Sequence, residues 1–278
     1  MGNEGAESVV VISRKPEYRK SAVTGANSAK PVFVNIRFFR DFINGAQVIF
    51  HILTAPVTAD LLFPGLSEAG FLTNETILSL TQRPARLLIM GGGPIGCEFA
   101  QAMQRLGCQV TLLHKYDRIM NKEDPEAAEL IQRAFLQDGI HLILNAKPLR
   151  VLQAATGKAV HYESNGQAAE IEVDEILVGT GRAPNVEGLN LEAAGVKYEG
   201  GKGRGVIVND KLQTTNPHIY AAGDICLPYQ FTHLADAAAR IVIQNALFFG
   251  RKKLSALTIP WCTYTDPEVA HVGLSESA

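Results

Sequence analysis

The sequence has almost no net charge. Its formal charge is −2 at pH 7, and acidic and basic residues are mixed along the 278 residues. No electrostatic footprint for nucleic acid or for an anionic membrane is therefore predicted. Because 46% of the residues are hydrophobic, a chain of this length can bury a substantial core. We expect a globular protein whose partners are recognised at defined sites.

Closely spaced cysteines are missing as well. The four cysteines are Cys97, Cys108, Cys226 and Cys262, and no CxxC or CxxxxC spacing joins any two of them. This spacing argues against a zinc site or a redox-active dithiol within the chain. Unpaired cysteines suit a reducing compartment, so a cytoplasmic location is expected.

Long apolar segments without polar interruption are also absent. The apolar stretch at residues 48–63 is broken by His51, Pro56 and Asp60, and residues 1–8 lack the basic and apolar regions of a signal peptide. Neither a membrane span nor a signal peptide is predicted. Residues 1–60 contain short apolar runs at 9–12 and 31–39 without a clear period, and this region stays unassigned.

Alternating strand and helix signals begin near residue 70. Two short apolar runs, 86–90 (RLLIM) and 109–113 (QVTLL), predict buried strands. Between them lies a predicted helix whose apolar residues recur at helical spacing: Ile95, Phe99, Met103 and Leu106. Asp124 as N-cap, Pro125 at the first position and Gly139 after the end bracket a further helix. Its expected apolar face is Leu130, Ile131, Ala134 and Phe135, and a strand starts at Ile140.

The region between residues 149 and 174 alternates in short pieces. Turn signals at Thr156-Gly157 and Asn165-Gly166 predict an antiparallel meander, inserted before a parallel strand at 175–178. We therefore expect a mixed sheet. Further strands are predicted at 205–208 and 218–222. A helix is predicted at 234–249, with Leu234, Ala238, Ile241 and either Leu247 or Phe248 facing inward.

The most informative motif is GGGPIG at residues 91–96, a GxGxxG directly after a strand and at the start of a helix. Gly91 permits a tight turn, Gly93 lets the backbone approach a pyrophosphate, and Gly96 allows close packing of helix and strand. Pro94 and Ile95 complete the loop, and the helix N-terminus offers free N–H groups. The motif predicts dinucleotide binding; the alternative is a glycine-rich turn without a ligand.

The end of the second strand indicates which nucleotide is preferred. An acidic residue there would bind a ribose 2′-hydroxyl, but this chain has His114 followed by Lys115. Lys115, Arg118 and His114 could pair with a 2′-phosphate, so NADPH is predicted over NADH. The alternative is that these are solvated loop residues.

Four motifs, taken in order, resemble the pyridine nucleotide-disulfide oxidoreductases, the family of dihydrolipoamide dehydrogenase, glutathione reductase and mercuric reductase. They are GGGPIGCEFAQAMQRLG (91–107), VGTGRAPN (178–185), TTNPHIYAAGD (214–224) and IPWCTYTDPEVAHVGLSE (259–276). The segment 231–250 looks most like the mercuric reductase branch. The resemblance extends from about residue 61 to the end.

The resemblance implies two cofactors, a nicotinamide nucleotide and FAD. Near the nicotinamide it assigns the Gly181-Arg182 turn and Glu98, although Glu98 alone could be a helix-dipole partner. It assigns Gly223 and Asp224 to the ribityl chain of FAD, where a turn or N-cap role for the aspartate is the alternative. The start of the following helix would face the flavin pyrimidine. Its residues are Thr232, His233, Leu234 and Ala235.

Three features of the family are missing from the sequence. These are an earlier GxGxxG for the adenine half of FAD, a CxxxxC pair, and the carboxyl-terminal His-Glu pair, so the chain is expected to be truncated at both ends and no catalytic residue is predicted. The segment HILTAPVTADLLFPGL from His51 also lacks the glycine of the family's ATGxxP. Hydride transfer from NADPH to FAD and on to a disulfide or metal-ion acceptor is the expected function. A catalytically silent NAD(P)-binding module is the alternative.

The fold class that follows is α/β. We expect a Rossmann-like NAD(P)-binding domain with an inserted β-meander at 70–187, after an unassigned region (1–60) and a linker (61–69). The second half of an FAD-binding domain is expected at 188–252. The start of an α+β dimerisation domain at 253–278 suggests a homodimer.

Overall fold

A computed structural model describes the backbone of residues 9–12, 47–51 and 54–56, and residues 63–200 and 205–273 with their side chains. These described residues form two compact units. The first unit draws on Met1–Ala55 and Arg182–Ile259, and the second on Pro56–Gly181 and Pro260–Ala278.

Helices and strands alternate between residues 66 and 143, and the described elements from residue 146 to residue 222 are strands. The strands are, in chain order, β1 (Val9–Ile12), β2 (Gln47–His51), β3 (Thr54–Pro56), β4 (Arg86–Met90), β5 (Gln109–Leu113), β6 (His141–Ile143), β7 (Ala146–Ala154), β8 (Gly157–Ser164), β9 (Gln167–Val173), β10 (Glu175–Val178), β11 (Arg182–Pro184), β12 (Tyr198–Glu199), β13 (Gly205–Val206), β14 (Ile219–Ala222), β15 (Pro260–Thr263) and β16 (Val269–Val272). The α-helices are α1 (Leu66–Ala69), α2 (Pro94–Arg105), α3 (Pro125–Gln137) and α4 (Thr232–Leu247), with 3₁₀ turns at Thr76–Ser79 and Leu254–Ala256.

The second unit is built on a parallel sheet with strand order β10-β4-β5-β6. Its central strand β4 is apolar throughout its last four residues, which are all buried, as expected for a strand covered on both faces. Helices α2 and α3 connect successive strands of this sheet. The predicted α/β fold and the strands at 86–90 and 109–113 are confirmed.

Helix α3 begins and ends as its capping residues predict. The side chain of Asp124 accepts a hydrogen bond from the Glu126 N–H at 2.9 Å, Pro125 is the first helical residue, and Gly139 follows the end with φ 84°. The expected apolar face was partly wrong, because Leu130 is 56% exposed. The buried stripe is instead Ala128, Ile131 and Phe135, and their spacing of three and four residues keeps them on one side of the helix.

Helix α2 shows a similar correction. Leu106 lies after its end and is 68% exposed, while Phe99 and Met103 are only partly buried at the edge of the core. The buried residues are Gly96, Cys97, Ala100 and Gln101. Three of these four residues are small and allow the helix to pack close to the sheet, so the larger apolar residues lie at the flank.

The inserted meander is present, but the prediction of a mixed sheet was wrong. Strands β7, β8 and β9 pair with one another in antiparallel register and form a separate three-stranded sheet. The turn between β8 and β9 has Asn165 and Gly166 at φ 51° and 78°, the conformation that a tight hairpin requires. The parallel sheet therefore contains no antiparallel strand among the residues that the structure describes.

Arg86 and Asp174 join the start of β4 to the start of β10. The carboxylate accepts from Nε and Nη2 of Arg86 at 3.1 and 2.7 Å, and from the Arg86 backbone N–H at 2.8 Å. These hydrogen bonds from Arg86 hold the pKa of Asp174 below its usual value. Asp174 therefore stabilises the fold when it is ionised.

We expect Asp174→Asn to lower the melting temperature at neutral pH. The melting temperature of this variant should also fall less in acid than that of the wild type. A carboxyl whose folded pKa is depressed contributes stability above its unfolded pKa of about 4, and this contribution is lost as pH falls through the folded value. Calorimetry from about pH 7 to pH 3 measures the effect. The matched control is Asp117→Asn, on an exposed loop residue. Equal melting curves for wild type and Asp174→Asn would contradict the prediction.

The first unit contains a three-stranded sheet of order β1-β2-β14. Strand β1 is antiparallel to β2, and β2 is parallel to β14. The apolar run at 9–12 is thus a strand, whereas the run at 31–39 lies outside the described residues. The strand candidate at 205–208 shortens to Gly205–Val206, and that at 218–222 to Ile219–Ala222.

Helix α4 covers one hydrophobic core of the first unit. It runs from Thr232 to Leu247, with Leu234, Ala238 and Ile241 buried as predicted. Of the two alternatives for the last inward-facing residue, Leu247 is half-buried, whereas Phe248 lies beyond the end of the helix and is 64% exposed. No helix in the described part of the chain is both long enough and apolar enough to span a bilayer.

Candidate functional site

The glycine-rich loop at residues 91–96 connects β4 to α2. Gly91 has φ 113°, and a Cβ there would lie 2.4 Å from the carbonyl oxygen of Gly179. A Cβ on Gly96 would lie 1.8 Å from the carbonyl oxygen of Gly91. Both glycines are therefore required by packing within the protein itself.

Gly93 differs from these two glycines. It is the N-cap of α2 with φ −83°, a backbone conformation open to any residue, and a Cβ there would meet no atom within 4 Å. Packing within the chain therefore gives no reason for glycine at this position. Pro94 follows as the first helical residue, and helix geometry leaves the N–H groups of Ile95 and Gly96 without an intrahelical partner. This end of α2 can receive an anion.

His114, at the end of β5, lies against the loop. Its Nδ1 accepts a hydrogen bond from the Gly92 N–H at 2.9 Å, and the residue is only 7% exposed. Burial lowers the pKa of His114, and the charge of Lys115 lowers it further. A buried neutral ring does not bring positive charge to a ligand, so its environment does not favour the expected pairing with a 2′-phosphate.

The other two basic residues near the loop differ in exposure. Lys115 is exposed, with Nζ 4.6 Å from the centroid of the Tyr116 ring. Arg118 is half-buried, and its Nη2 donates to the Asn121 carbonyl at 3.4 Å. Lys115 and Arg118 therefore remain candidates for recognition of a 2′-phosphate.

Glu98 is bonded to a distant part of the same unit. Its Oε1 accepts from the backbone N–H of Tyr264 at 2.8 Å, next to the β15–β16 hairpin. Glu98 is the fifth residue of α2 and not part of its first turn, where a helix-dipole partner would lie. Its expected position beside a nicotinamide stays a prediction.

The first unit holds the residues expected at a flavin. Asp224 directly follows Gly223, which has φ 89° and comes immediately after β14. Asp224 is 4% exposed, and its Oδ2 lies 3.7 Å from Nη1 of Arg182. Nη2 of Arg182 donates to the Gln230 carbonyl at 2.6 Å. The structure thus brings together Arg182 and Asp224, two residues that the sequence assigned to different cofactors.

The start of α4 is divided between surface and core. Thr232 and His233 are exposed, whereas Leu234 and Ala235 are buried. The rings of Phe231 and His233 are stacked with their centroids 5.4 Å apart. The side chains of Leu234 and Ala235 therefore pack in the core, and only their backbone could contact a ligand.

Gly181 is the remaining residue that was predicted to bind a cofactor. It has φ 127°, and a Cβ built on it would meet no atom within 4 Å.

Sequence reasoning missed two contributions to these sites. Gln230 supplies a carbonyl to Arg182, and Gly205, at φ 69°, is required because a Cβ there would lie 1.9 Å from the Ile225 carbonyl oxygen. No local pattern marks either residue, because both contacts join distant parts of the chain.

The four cysteines are all unpaired, and burial raises the pKa of the thiols of Cys97 and Cys226.

Comparison with known proteins assigns this arrangement to a family. A family model described as pyridine nucleotide-disulphide oxidoreductase matches residues 56–241. The chain belongs to the pyridine nucleotide-disulphide oxidoreductase family. Its sequence is 40% identical over 237 residues to a mercuric reductase of Staphylococcus aureus, a match that covers 84% of this chain and 43% of the relative.

Other family members show the same partial overlap. A dihydrolipoyl dehydrogenase of Bacillus subtilis is 37% identical over 218 residues, covering 78% of this chain and 46% of the relative. The structure of the HOCl-induced flavoprotein disulfide reductase of Escherichia coli, as a Cu(II) complex, superposes with a TM-score of 0.75 at 28% identity, covering 83% of this chain and 52% of that one. The chain thus spans less than half the length of the mercuric reductase and the dihydrolipoyl dehydrogenase, and about half the length of the Escherichia coli protein.

Proposed function

We propose that this chain carries the nicotinamide nucleotide-binding and flavin-binding parts of an oxidoreductase. Hydride passes from a nucleotide held at residues 91–96 to FAD held in part by Asp224. The observation that supports this most strongly is Gly93, a glycine that packing within the chain does not require, at the N-terminus of a helix in a family of nucleotide-binding reductases. A pyrophosphate that approaches the backbone there supplies the missing reason.

The residues around Asp224 fit the sugar-alcohol chain of a flavin. An ionised carboxylate has about four acceptor positions, so it can accept from a hydroxyl donor in addition to protein partners such as Arg182. Gly223, in a left-handed conformation, lets the chain turn sharply at this point. We propose that Asp224 accepts from flavin hydroxyls, while the N-terminus of α4 stabilises negative charge on the flavin ring.

The acceptor that receives the electrons is proposed from the relatives. Their names include mercuric reductase, dihydrolipoyl dehydrogenase and flavoprotein disulfide reductase. A disulfide or a metal ion is therefore the proposed class of acceptor. We propose NADPH as the preferred nucleotide, now on the positive charges of Lys115 and Arg118 without that of His114. Assembly as a homodimer also stays a proposal.

Absorption spectroscopy with nucleotide titration tests the function. The purified chain is soaked in FAD, desalted and scored for a visible flavin band, and NADPH and NADH are then titrated separately. We expect a flavin-to-protein ratio near one, and bleaching of the band by NADPH at lower concentration than by NADH. A colourless protein that binds NADPH would be a silent nucleotide-binding module. A protein that binds neither cofactor would contradict both the proposed oxidoreductase and the silent nucleotide-binding module.

A further inference from the structure

The contact between His114 and Gly92 joins the end of one strand to the middle of the glycine-rich loop. Besides the hydrogen bond from the Gly92 N–H to Nδ1, the two residues pack closely, since a Cβ on Gly92 would lie 2.9 Å from Cγ of the ring. The Gly92 carbonyl in turn accepts from the Met120 N–H at 2.6 Å. His114 thus sets the orientation of a peptide inside the nucleotide-binding loop.

The protonation state of the ring decides whether this bond exists. An Nδ1 that accepts requires the neutral tautomer with its proton on Nε2, and protonation would place a second N–H directly against the Gly92 N–H. Nε2 is buried and has no hydrogen-bond partner in the part of the chain with described side chains. A protonated ring would therefore lose its bond to Gly92 and carry its charge in a buried site.

The surroundings of the ring favour its neutral form on balance. Burial is the largest cause and lowers the pKa of His114; an interaction with the Asn121 side chain raises it, and the Lys115 charge lowers it. The Tyr116 ring meets it edge-on, with the centroids 5.3 Å apart. On the other side of the loop Cys97 contacts the Gly92 carbonyl, and burial raises the pKa of its thiol, so Cys97 is neutral too.

We propose that His114 is a positioning residue that holds the nucleotide-binding loop in its binding conformation only while the imidazole is neutral. Nucleotide affinity is then lost on acidification without any titration of the ligand. This inference rests on the proposed nucleotide site. It places the pH response in the loop itself.

Binding of NAD⁺ and NADP⁺ to the full chain, measured by calorimetry from about pH 7.5 to pH 4.5, tests the proposal. The oxidised nucleotides are used because they survive in acid, and the 2′-phosphate, which titrates near pH 6, is present only in NADP⁺. We expect the dissociation constants of both to rise by about threefold to tenfold across this range, with at most a tenfold rise per pH unit.

Two substitutions of His114 test separately the hydrogen bond to Gly92 and the protonation of the ring. His114→Asn offers an amide oxygen near the position of Nδ1, so its affinity should stay within about threefold of wild type at neutral pH and no longer change for NAD⁺ in acid. His114→Leu removes the acceptor and should bind about tenfold more weakly at every pH. His141→Asn, on an exposed histidine of β6, is the matched control and should behave as wild type.

The outcomes distinguish this inference from the proposed function. A chain that binds neither nucleotide at any pH refutes the nucleotide site itself. Normal binding at neutral pH with a flat profile in wild type, or with an unchanged profile in His114→Asn, overturns the role of His114. Nitrogen chemical shifts of the ring in the nucleotide-free chain provide a second measurement: a protonated Nδ1 at neutral pH would also overturn it, even if His114→Leu does not fold.

Discussion

Gly96→Ala is expected to destabilise the second unit and to abolish nucleotide binding. The new Cβ would lie 1.8 Å from the carbonyl oxygen of Gly91, and this oxygen belongs to a backbone that is itself fixed by a hydrogen bond from the Gly91 N–H to the Leu113 carbonyl. Helix α2 must therefore move away from the end of β4. We expect the free energy of unfolding to fall by about 3 kcal/mol or more. Urea unfolding and an NADP⁺ titration measure the two effects.

Gly93→Ala is the matched control for this change. A Cβ at Gly93 meets no protein atom within 4 Å, so the free energy of unfolding should change by less than about 1 kcal/mol. Nucleotide affinity should nevertheless fall at least about tenfold, because the methyl group would occupy the space that a pyrophosphate needs. Unchanged affinity in Gly93→Ala would mean that the nucleotide binds elsewhere. A Gly96→Ala variant as stable as wild type would refute the packing argument.

Asp224→Asn is expected to reduce the retention of flavin strongly. The substitution keeps the volume of a buried side chain but removes the charge that faces Arg182 and that would accept from the flavin. Hydrogen bonds to a charged group are worth about 1.5–3 kcal/mol, so FAD affinity should fall by about tenfold to a hundredfold. The measurement is the flavin-to-protein ratio after desalting.

The control for Asp224 lies in the same unit. Asp236→Asn makes the same chemical change at an exposed residue of α4 that pairs with Arg240 four residues later. It should leave flavin retention unchanged. If Asp224→Asn lowers the melting temperature but retains flavin like Asp236→Asn, Asp224 serves only the fold, and its assignment to the cofactor fails.

Local signals predicted those parts of the fold that depend on neighbouring residues. The N-cap Asp124, Pro125 and Gly139 bound α3 as expected, because each acts within one turn of the helix end. Strands β4 and β5 were predicted because each is a short apolar run that is visible in the local sequence. The exposure of Leu106 and Leu130 was not predicted, because apolar periodicity does not show which side of a helix meets the sheet.

Pairing over long distances escaped the sequence. The meander was predicted as part of the main sheet, since its turns specify hairpins but not the sheet that receives them. Strand β2 was not predicted at all, although it pairs with β14, which lies far along the chain. Register and partner choice in a sheet depend on the whole set of strands.

The sequence by itself determined the family, the glycine loop and the ends of α3, because these depend on residue type at short spacing. Only the tertiary structure decided the state of individual site residues. His114, expected as a cation for phosphate, is a buried acceptor for Gly92, and Arg182 lies beside Asp224. Charge and hydrogen bonding depend on burial and on neighbours that folding brings from elsewhere in the chain, and residue type alone does not specify them.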